Sequence, residues 1–171
     1  GAAAIAWVYQ NITNYGGNAD AVFISGHSAG AHIGALVSAD PKYLKNHGLS
    51  RSVIKGFAGL AGPYDFVPEE KDLKEIFAPP SQYAQMQVPT FIDGKQPPML
   101  LLHGAEDKTV GQINLTRLDD LIRTKGGSVD IIIYDDINHF NILVALSWIK
   151  SKNIPIVNDM DSFFKEILQK E

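Results

Sequence analysis

Four short apolar runs, each followed by polar or helically periodic sequence, set the pattern of the chain. The first, Asp20 to Ser25, is nearly all apolar (Ala21-Val22-Phe23-Ile24), as a strand buried on both faces of a parallel sheet must be. Val53 to Leu60, Met99 to His103 and Val129 to Tyr134 repeat the pattern. Ahead of the first run, residues 2 to 13 place Ile5, Val8 and Ile12 on one helical face. Asn14-Tyr15-Gly16-Gly17-Asn18 closes that helix, because Gly and Asn tolerate the left-handed cap. Helices are also predicted over Ala31 to Ser38, ended by Asp40-Pro41, and around Val110, Ile113, Leu118, Leu121 and Ile122, capped by Gly126-Gly127. Pro41 to Ser52 reads as irregular, with at most a short helix. Phe140 to Lys150 and Asp159 to Gln169 read as the closing helices, the second with Phe163, Phe164, Ile167 and Leu168 on its buried face. This alternation predicts an α/β fold with a parallel sheet and flanking helices. Phe66 to Pro98 interrupts the rhythm: it is polar and proline-rich, with a charged patch at Glu69-Glu70-Lys71-Asp72. It reads as a cap-like excursion over the top of the sheet, within a single domain covering residues 1–171.

Composition narrows the classes of function. At 171 residues the chain is one domain's worth and can bury a sizeable core. A hydrophobic content of 45% with 20% charged residues is ordinary for a globular protein. A net charge of −4 supplies no electrostatic footprint for nucleic acid or anionic membrane, so neither is expected as a partner. No apolar run reaches the length needed to cross a bilayer. The absence of cysteine excludes disulfides and thiolate metal sites without identifying a compartment. There is no initiator Met, and Gly1-Ala2-Ala3-Ala4-Ile5-Ala6-Trp7-Val8 reads as a helix already under way. Further sequence is therefore expected to precede residue 1.

The chemistry concentrates at Gly26-His27-Ser28-Ala29-Gly30, between the first apolar run and the helix after it. A strand that turns sharply into a helix through G-x-S-x-G strains the serine backbone and exposes its Oγ. Glycines at 26 and 30 suit such a turn if a side chain at either would collide with the neighbouring strand or helix. Alone the motif is weak: with 15 Gly and 10 Ser in the chain, chance supplies about 0.08 matches. A serine hydroxyl also needs a base, and the base needs a carboxylate to hold it. In an open α/β sheet these groups lie just past the C-terminal ends of strands. Ser28 follows the first strand, Asp107 the third and His139 the fourth. The order Ser, acid, His is that of the α/β-hydrolases.

Each position has a competitor. Ser28 is also acceptable as an ordinary helix N-cap. Asp107 competes with Glu106, Asp135 and Asp136, the last two being good turn formers. Of the other histidines (His27, His32, His47 and His103), the first two lie too near Ser28 in sequence to swing onto its hydroxyl, and His103 ends a buried strand. His139 is the best base.

Three segments carry a family resemblance: Gly26-His27-Ser28-Ala29-Gly30-Ala31-His32, His103-Gly104-Ala105-Glu106-Asp107-Lys108-Thr109-Val110 and Asn138-His139-Phe140. On these, which run along nearly the whole chain, it resembles the C-terminal part of an α/β-hydrolase. The branch is the carboxylesterases that include feruloyl-esterase-like and kynurenine-formamidase-like enzymes. The resemblance implies Ser28 as nucleophile, Asp107 as acid and His139 as base, acting on a small-molecule ester through an acyl-enzyme without metal or organic cofactor. It implies that Phe77-Ala78-Pro79-Pro80-Ser81-Gln82-Tyr83 walls an acyl or alcohol pocket, with His27, Pro79 and Tyr83 as candidate substrate-binding residues. A proline-rich surface loop is the other reading of that segment. Arylformamide hydrolysis is the nearest alternative activity, and an inactive hydrolase-like fragment with a binding role is another. A nucleotide-binding domain fails on spacing, since G-x-G-x-x-G is absent.

One departure stands out. The Ala29 N–H can supply one oxyanion donor, but the second normally comes from a His-Gly-Gly-type loop after an earlier strand. Gly16-Gly17 and Gly126-Gly127 lack the His, and His103-Gly104 is already used. The resemblance also implies further strands ahead of the nucleophile strand, so the fold is expected to lack its N-terminal strands. That leaves the Ala21 strand with an unpaired apolar edge, to be completed by a missing N-terminal half or by a partner chain. Asn11-Ile12-Thr13 and Asn114-Leu115-Thr116 match glycosylation sequons but fall within predicted helices. Asp65, in the Pro63-Tyr64-Asp65 turn, reads as structural.

Overall fold

The computed structural model describes residues 1–77, 79–147 and 154–170. Strands β1 (Val22–His27), β2 (Ile54–Leu60), β3 (Met99–Gly104) and β4 (Val129–Tyr134) form one parallel sheet in the order β1-β2-β3-β4. Helix α1 (Ala2–Asn11) precedes the sheet. Helices α2 (Ala29–Ala39) and α3 (Lys42–Lys45) join β1 to β2, α4 (Lys71–Ile76) lies between β2 and β3, and α5 (Ile113–Thr124) joins β3 to β4. Helices α6 (Asn141–Val144) and α7 (Ile156–Lys170) follow β4.

The period-2 alternation of the strands divides the core in two. Phe57, Met99, Leu101 and Val129 pack with Leu36 of α2 and with Leu115, Leu118 and Ile122 of α5. Ala58, Leu60, Leu100 and Leu102 turn to the opposite face and pack with Phe163 of α7. Successive residues of β2 and β3 thus feed opposite cores, which is why both strands are apolar without interruption. On β1, Ile24 joins the first core while Phe23 meets Phe164 of α7 with ring centroids 4.6 Å apart. Ala2 and Ile5 of α1 pack on Val37 and Leu44, beside α2.

Several boundaries differ from the sequence expectation for local reasons. Strand β1 starts at Val22, because Ala19–Ala21 form a 3-10 turn whose Asp20 N–H donates to Asn18 Oδ1 at 2.9 Å. It then continues through Gly26 and His27, which pair with Gly59 and Leu60. Helix α1 stops at Asn11, and Ile12–Tyr15 tighten into a 3-10 turn closed by Gly16 at φ 81°. Helix α5 starts at Ile113, leaving Val110 in the preceding loop with its N–H donated to Asp107 Oδ1 at 2.9 Å. Of the helix expected over Phe140 to Lys150, α6 occupies Asn141–Val144, and residues 148–150 lie outside the described residues. Helix α7 begins at Ile156, ahead of the Asp159 expected.

The 66–98 segment holds α4 and two 3-10 runs, Pro80–Gln85 and Val88–Phe91. It is tied down at its centre. Val88 N–H donates to the Tyr64 carbonyl at 3.1 Å, and His32 Nε2 of α2 donates to the Met86 carbonyl at 2.6 Å. Asn114, within the second sequon, is buried: its Oδ1 accepts the Asp65 N–H at 2.9 Å, and its Nδ2 donates to the Gly111 carbonyl at 3.2 Å.

Candidate active site

Strand β1 enters α2 through a single residue. Ser28 has φ 54° and ψ −120°, a region that costs a residue bearing a Cβ about 1–3 kcal/mol unless its surroundings enforce it. Two backbone bonds do so: Ser28 N–H donates to the Leu60 carbonyl at 2.9 Å, and His32 N–H donates to the Ser28 carbonyl at 3.1 Å. A Cβ on Gly26 would lie 2.7 Å from Ala31 N and closer still to the Gly30 carbonyl, so only glycine lets strand and helix approach this closely. Gly30 differs from expectation, because a Cβ there meets nothing within 4 Å. The helix packs on the sheet at Gly34 instead, where a Cβ would fall 2.8 Å from Phe57 and 3.1 Å from Ile24. Ser28 makes no side-chain capping bond to α2, which answers the N-cap alternative: its Oγ lies 2.9 Å from His139 Nε2.

His139 is delivered by the turn after β4. Asp136 adopts φ 58°, which Asp tolerates, and Asn138 Oδ1 accepts the N–H groups of Phe140 at 3.1 Å and Asn141 at 2.9 Å. These bonds pin the buried His139 from both sides in sequence, and its Nδ1 donates to Asp107 Oδ2 at 2.8 Å. With Nδ1 carrying the proton, Nε2 is free to accept the Ser28 hydroxyl hydrogen.

Asp107 sits past β3 with its side chain fully buried. Its second oxygen accepts the N–H groups of Thr109 and Val110, both at 2.9 Å. Burial opposes its ionisation, but the Val110 N–H, His139 and the Thr109 N–H outweigh it and hold the carboxyl below its ordinary range. A folded-state pKa below the unfolded one contributes stability above about pH 4 that is lost as pH falls through the folded value. Glu106 is exposed, and its backbone N–H goes to the Ile137 carbonyl at 2.9 Å. Asp135 and Asp136 are exposed in the turn. His103 is buried behind Asp107, donating from Nε2 to the Val110 carbonyl at 3.1 Å and lying 3.9 Å from Asp107 Oδ2, and its burial pushes its pKa down.

The structure places His27 against His139. Its Nε2 donates to the His139 carbonyl at 2.8 Å, and the two ring centroids are 4.7 Å apart. Replacing His27 by Ala should lower kcat roughly tenfold with KM little changed, the loss expected of one hydrogen bond holding a base in place. His27→Gln, which keeps a donor, should recover part of it in steady-state hydrolysis of a p-nitrophenyl ester. A rise in KM at constant kcat would instead make His27 a substrate contact. Sequence patterning carries no signal for this bond. The Asp107 amides had one, since Asp two residues before Thr is a side-chain-to-backbone turn pattern.

Ala29 is the first residue of α2, so its N–H has no partner within the helix. A cavity of about 400 Å³ opens beside it, walled by Ile33 and Leu36 of α2 and by Phe77 and Met86 of the 66–98 segment. Gln82 and Gln85 of that segment line it, whereas Pro79 is exposed, Tyr83 is half-buried, and neither is among its walls. A second cavity of about 350 Å³ borders His139, between Glu106, Lys108, Thr109, Asn138 and Phe140.

Comparison with known proteins agrees with this architecture. A family model described as BD-FAE matches residues 2–120, from α1 into α5. Esterase LipQ of Mycobacterium tuberculosis is 28% identical over 142 residues, 73% of this chain and 34% of LipQ. Isoprenylcysteine alpha-carbonyl methylesterase ICME of Arabidopsis thaliana is 25% identical over 167 residues, 82% of this chain and 38% of ICME. The chain thus spans little more than a third of the length of these curated relatives. Among solved structures, the apo form of Thermogutta terrifontis esterase 2 matches with a TM-score of 0.78 at 20% identity, over 97% of this chain and 63% of that one. The four parallel strands, the helices on both faces and the family match converge: the chain belongs to the BD-FAE family, with the α/β-hydrolase fold and of carboxylesterase type.

Proposed function

We propose that the protein hydrolyses carboxylic esters through an acyl-enzyme on Ser28. The observation that carries this reading is the continuous relay from Ser28 Oγ to His139 Nε2 at 2.9 Å and from His139 Nδ1 to Asp107 Oδ2 at 2.8 Å. Ser28 Oγ attacks the carbonyl carbon as its proton passes to His139 Nε2, and the Ala29 N–H receives the oxyanion. Asp107 holds the imidazole tautomer and stabilises the cation. His139 then gives its proton to the departing alcohol oxygen as the C–O bond breaks. Water, deprotonated by His139, attacks the acyl-enzyme, and Ser28 leaves with the returned proton.

The same groups could act on an amide, but an ester is the better match to LipQ and ICME, both described as esterases. A purely binding role would leave a strained serine, a fixed histidine tautomer and a buried carboxylate without a task. Removing one of two oxyanion donors costs about 10²–10³ in turnover. A second donor is therefore part of the proposal, supplied by strands that extend the sheet past β1 or by another chain. Among the described residues β1 pairs with β2 alone, which leaves its far edge open for that extension.

A fluorophosphonate probe tests the reading. The full-length protein should acquire one adduct, mapped by mass spectrometry to the peptide holding Ser28, and Ser28→Ala should not acquire it. Folded protein that stays unmodified at Ser28 would overturn the proposal.

A further inference from the structure

We infer that His103 is a positioning residue for Asp107, holding the loop that aims this carboxylate at His139; the inference rests on the ester-hydrolysis reading above. Strand β3 is buried from end to end, and the side chains ahead of His103 are those of Met99, Leu100, Leu101 and Leu102. A ring with two nitrogens in that setting costs free energy unless it is hydrogen-bonded. His103 is 1% exposed, and its Nε2 lies 3.1 Å from the Val110 carbonyl oxygen. A carbonyl only accepts, so Nε2 carries the proton and donates it. Burial lowers the pKa of the ring, and the nearby His139 adds to this against the pull of Asp107 and the Val110 bond, which keeps the ring neutral in this tautomer.

Val110 is held at both of its backbone polar groups: its N–H donates to Asp107 Oδ1 at 2.9 Å, and its carbonyl accepts from His103. The Thr109 N–H donates to the same Oδ1 at 2.9 Å. These two amides set the rotation of the carboxylate, and with it the direction of Oδ2, which accepts from His139 Nδ1 at 2.8 Å. Residues 105–112, between β3 and α5, belong to neither a strand nor a helix, so a few bonds place them. In the first half, the Ala105 N–H donates to the Tyr134 carbonyl and the Glu106 N–H to the Ile137 carbonyl, both at 2.9 Å. A Cβ on Gly104 would run into that same Ile137 carbonyl, so the loop sits flush against the turn that carries His139. The second half is tied back to β3 by His103.

His103 Nε2 also lies 3.9 Å from Asp107 Oδ2, too far for a hydrogen bond. It therefore leaves Oδ2 to His139 and acts on Asp107 through Val110. A leucine at 103 would keep the apolar packing and leave the carbonyl of the buried Val110 without its donor. Val110 would then shift toward another donor, and the amide on Oδ1 would turn the carboxylate with it. A glutamine keeps the bond, because its amide nitrogen reaches about as far from the backbone as the imidazole Nε2 does.

The test is a double-mutant cycle on the full-length protein, read as kcat and KM for p-nitrophenyl acetate. His103→Leu should lower kcat roughly tenfold with KM little changed, the loss expected of one hydrogen bond. His103→Gln should recover most of that loss. In an Asp107→Ala background the same His103→Leu step should change kcat less than about twofold, because the carboxylate it positions is gone. A purely structural role would cost the same in both backgrounds. Equal losses in the two backgrounds, a glutamine no better than leucine, or the parent kcat in His103→Leu would each overturn the assignment, while turnover still abolished by Ser28→Ala leaves the esterase reading intact. Turnover that survives Ser28→Ala would overturn both. Should His103→Leu fail to fold, His103→Asn, whose shorter amide stops short of the Val110 carbonyl, takes its place in the cycle with the same outcomes.

Discussion

Replacing His139 by alanine is expected to lower ester turnover by roughly 10⁴- to 10⁶-fold. Removing the ring leaves the Ser28 proton with nowhere to go, since Nε2 is the acceptor 2.9 Å from Oγ. It also strips Asp107 Oδ2 of its 2.8 Å donor while the carboxylate remains buried. A buried acceptor left unsatisfied costs about 1–3 kcal/mol, so a lower melting temperature should accompany the lost activity. The two effects separate readily: circular dichroism at assay temperature reports the fold, and p-nitrophenyl ester turnover reports the chemistry. The rate of fluorophosphonate labelling should fall with turnover, because both need the serine alkoxide. A folded His139→Ala protein within tenfold of the parent rate would move the base elsewhere, and His27, its ring 4.7 Å from that of His139, would be examined first.

Asp107→Asn should lower kcat by about 10⁴ through tautomer choice rather than lost geometry. The reason lies in the two amides on Oδ1. Thr109 and Val110 both donate to that atom at 2.9 Å, so the amide oxygen of an asparagine must take that side. The NH₂ group is then left facing His139 Nδ1 in the place of Oδ2. Nδ1 becomes an acceptor, the ring proton moves to Nε2, and two donors confront each other across the Ser28–His139 contact. Steady-state kinetics compared with Asp107→Ala checks this. Asparagine should be no better than alanine despite nearly keeping the volume of aspartate. An Asp107→Asn protein within tenfold of the parent would instead point to Glu106, Asp135 or Asp136 as the acid.

How legible this site was in the sequence depends on the distance over which each feature is determined. The strands were readable because Val22 to Ile24 and Met99 to Leu102 are apolar at every position, which only a two-sided core demands. Gly26 was readable because the strand–helix turn must pass close to its own helix. Gly30 was over-read, since its space depends on what lies above α2, a tertiary property. The β1 start was missed by two residues because Asn18 captures the Asp20 N–H and turns the chain, a local side-chain bond that hydrophobic pattern does not register. The bonds from His27 to the His139 carbonyl and from His32 to the Met86 carbonyl join residues 112 and 54 apart, and nothing in either segment predicts its partner. Of the Phe77–Tyr83 segment singled out by resemblance, Phe77 and Gln82 line the cavity, joined by Gln85 and Met86, whereas Pro79 and Tyr83 do not.

Among the described residues the sheet contains no hairpin: each neighbouring pair of strands is parallel and is joined by a crossover. Every pairing must therefore close a long loop before it gains contacts, and the Ser28–His139 contact bridges 111 residues. The site is consequently among the last things to form as the chain folds. Ser28 and His139 stay apart until β1, β2, β3 and β4 are in register. On the proposal that Ser28 is the nucleophile, its competence in this topology is acquired only with the native state and is lost whenever the sheet opens.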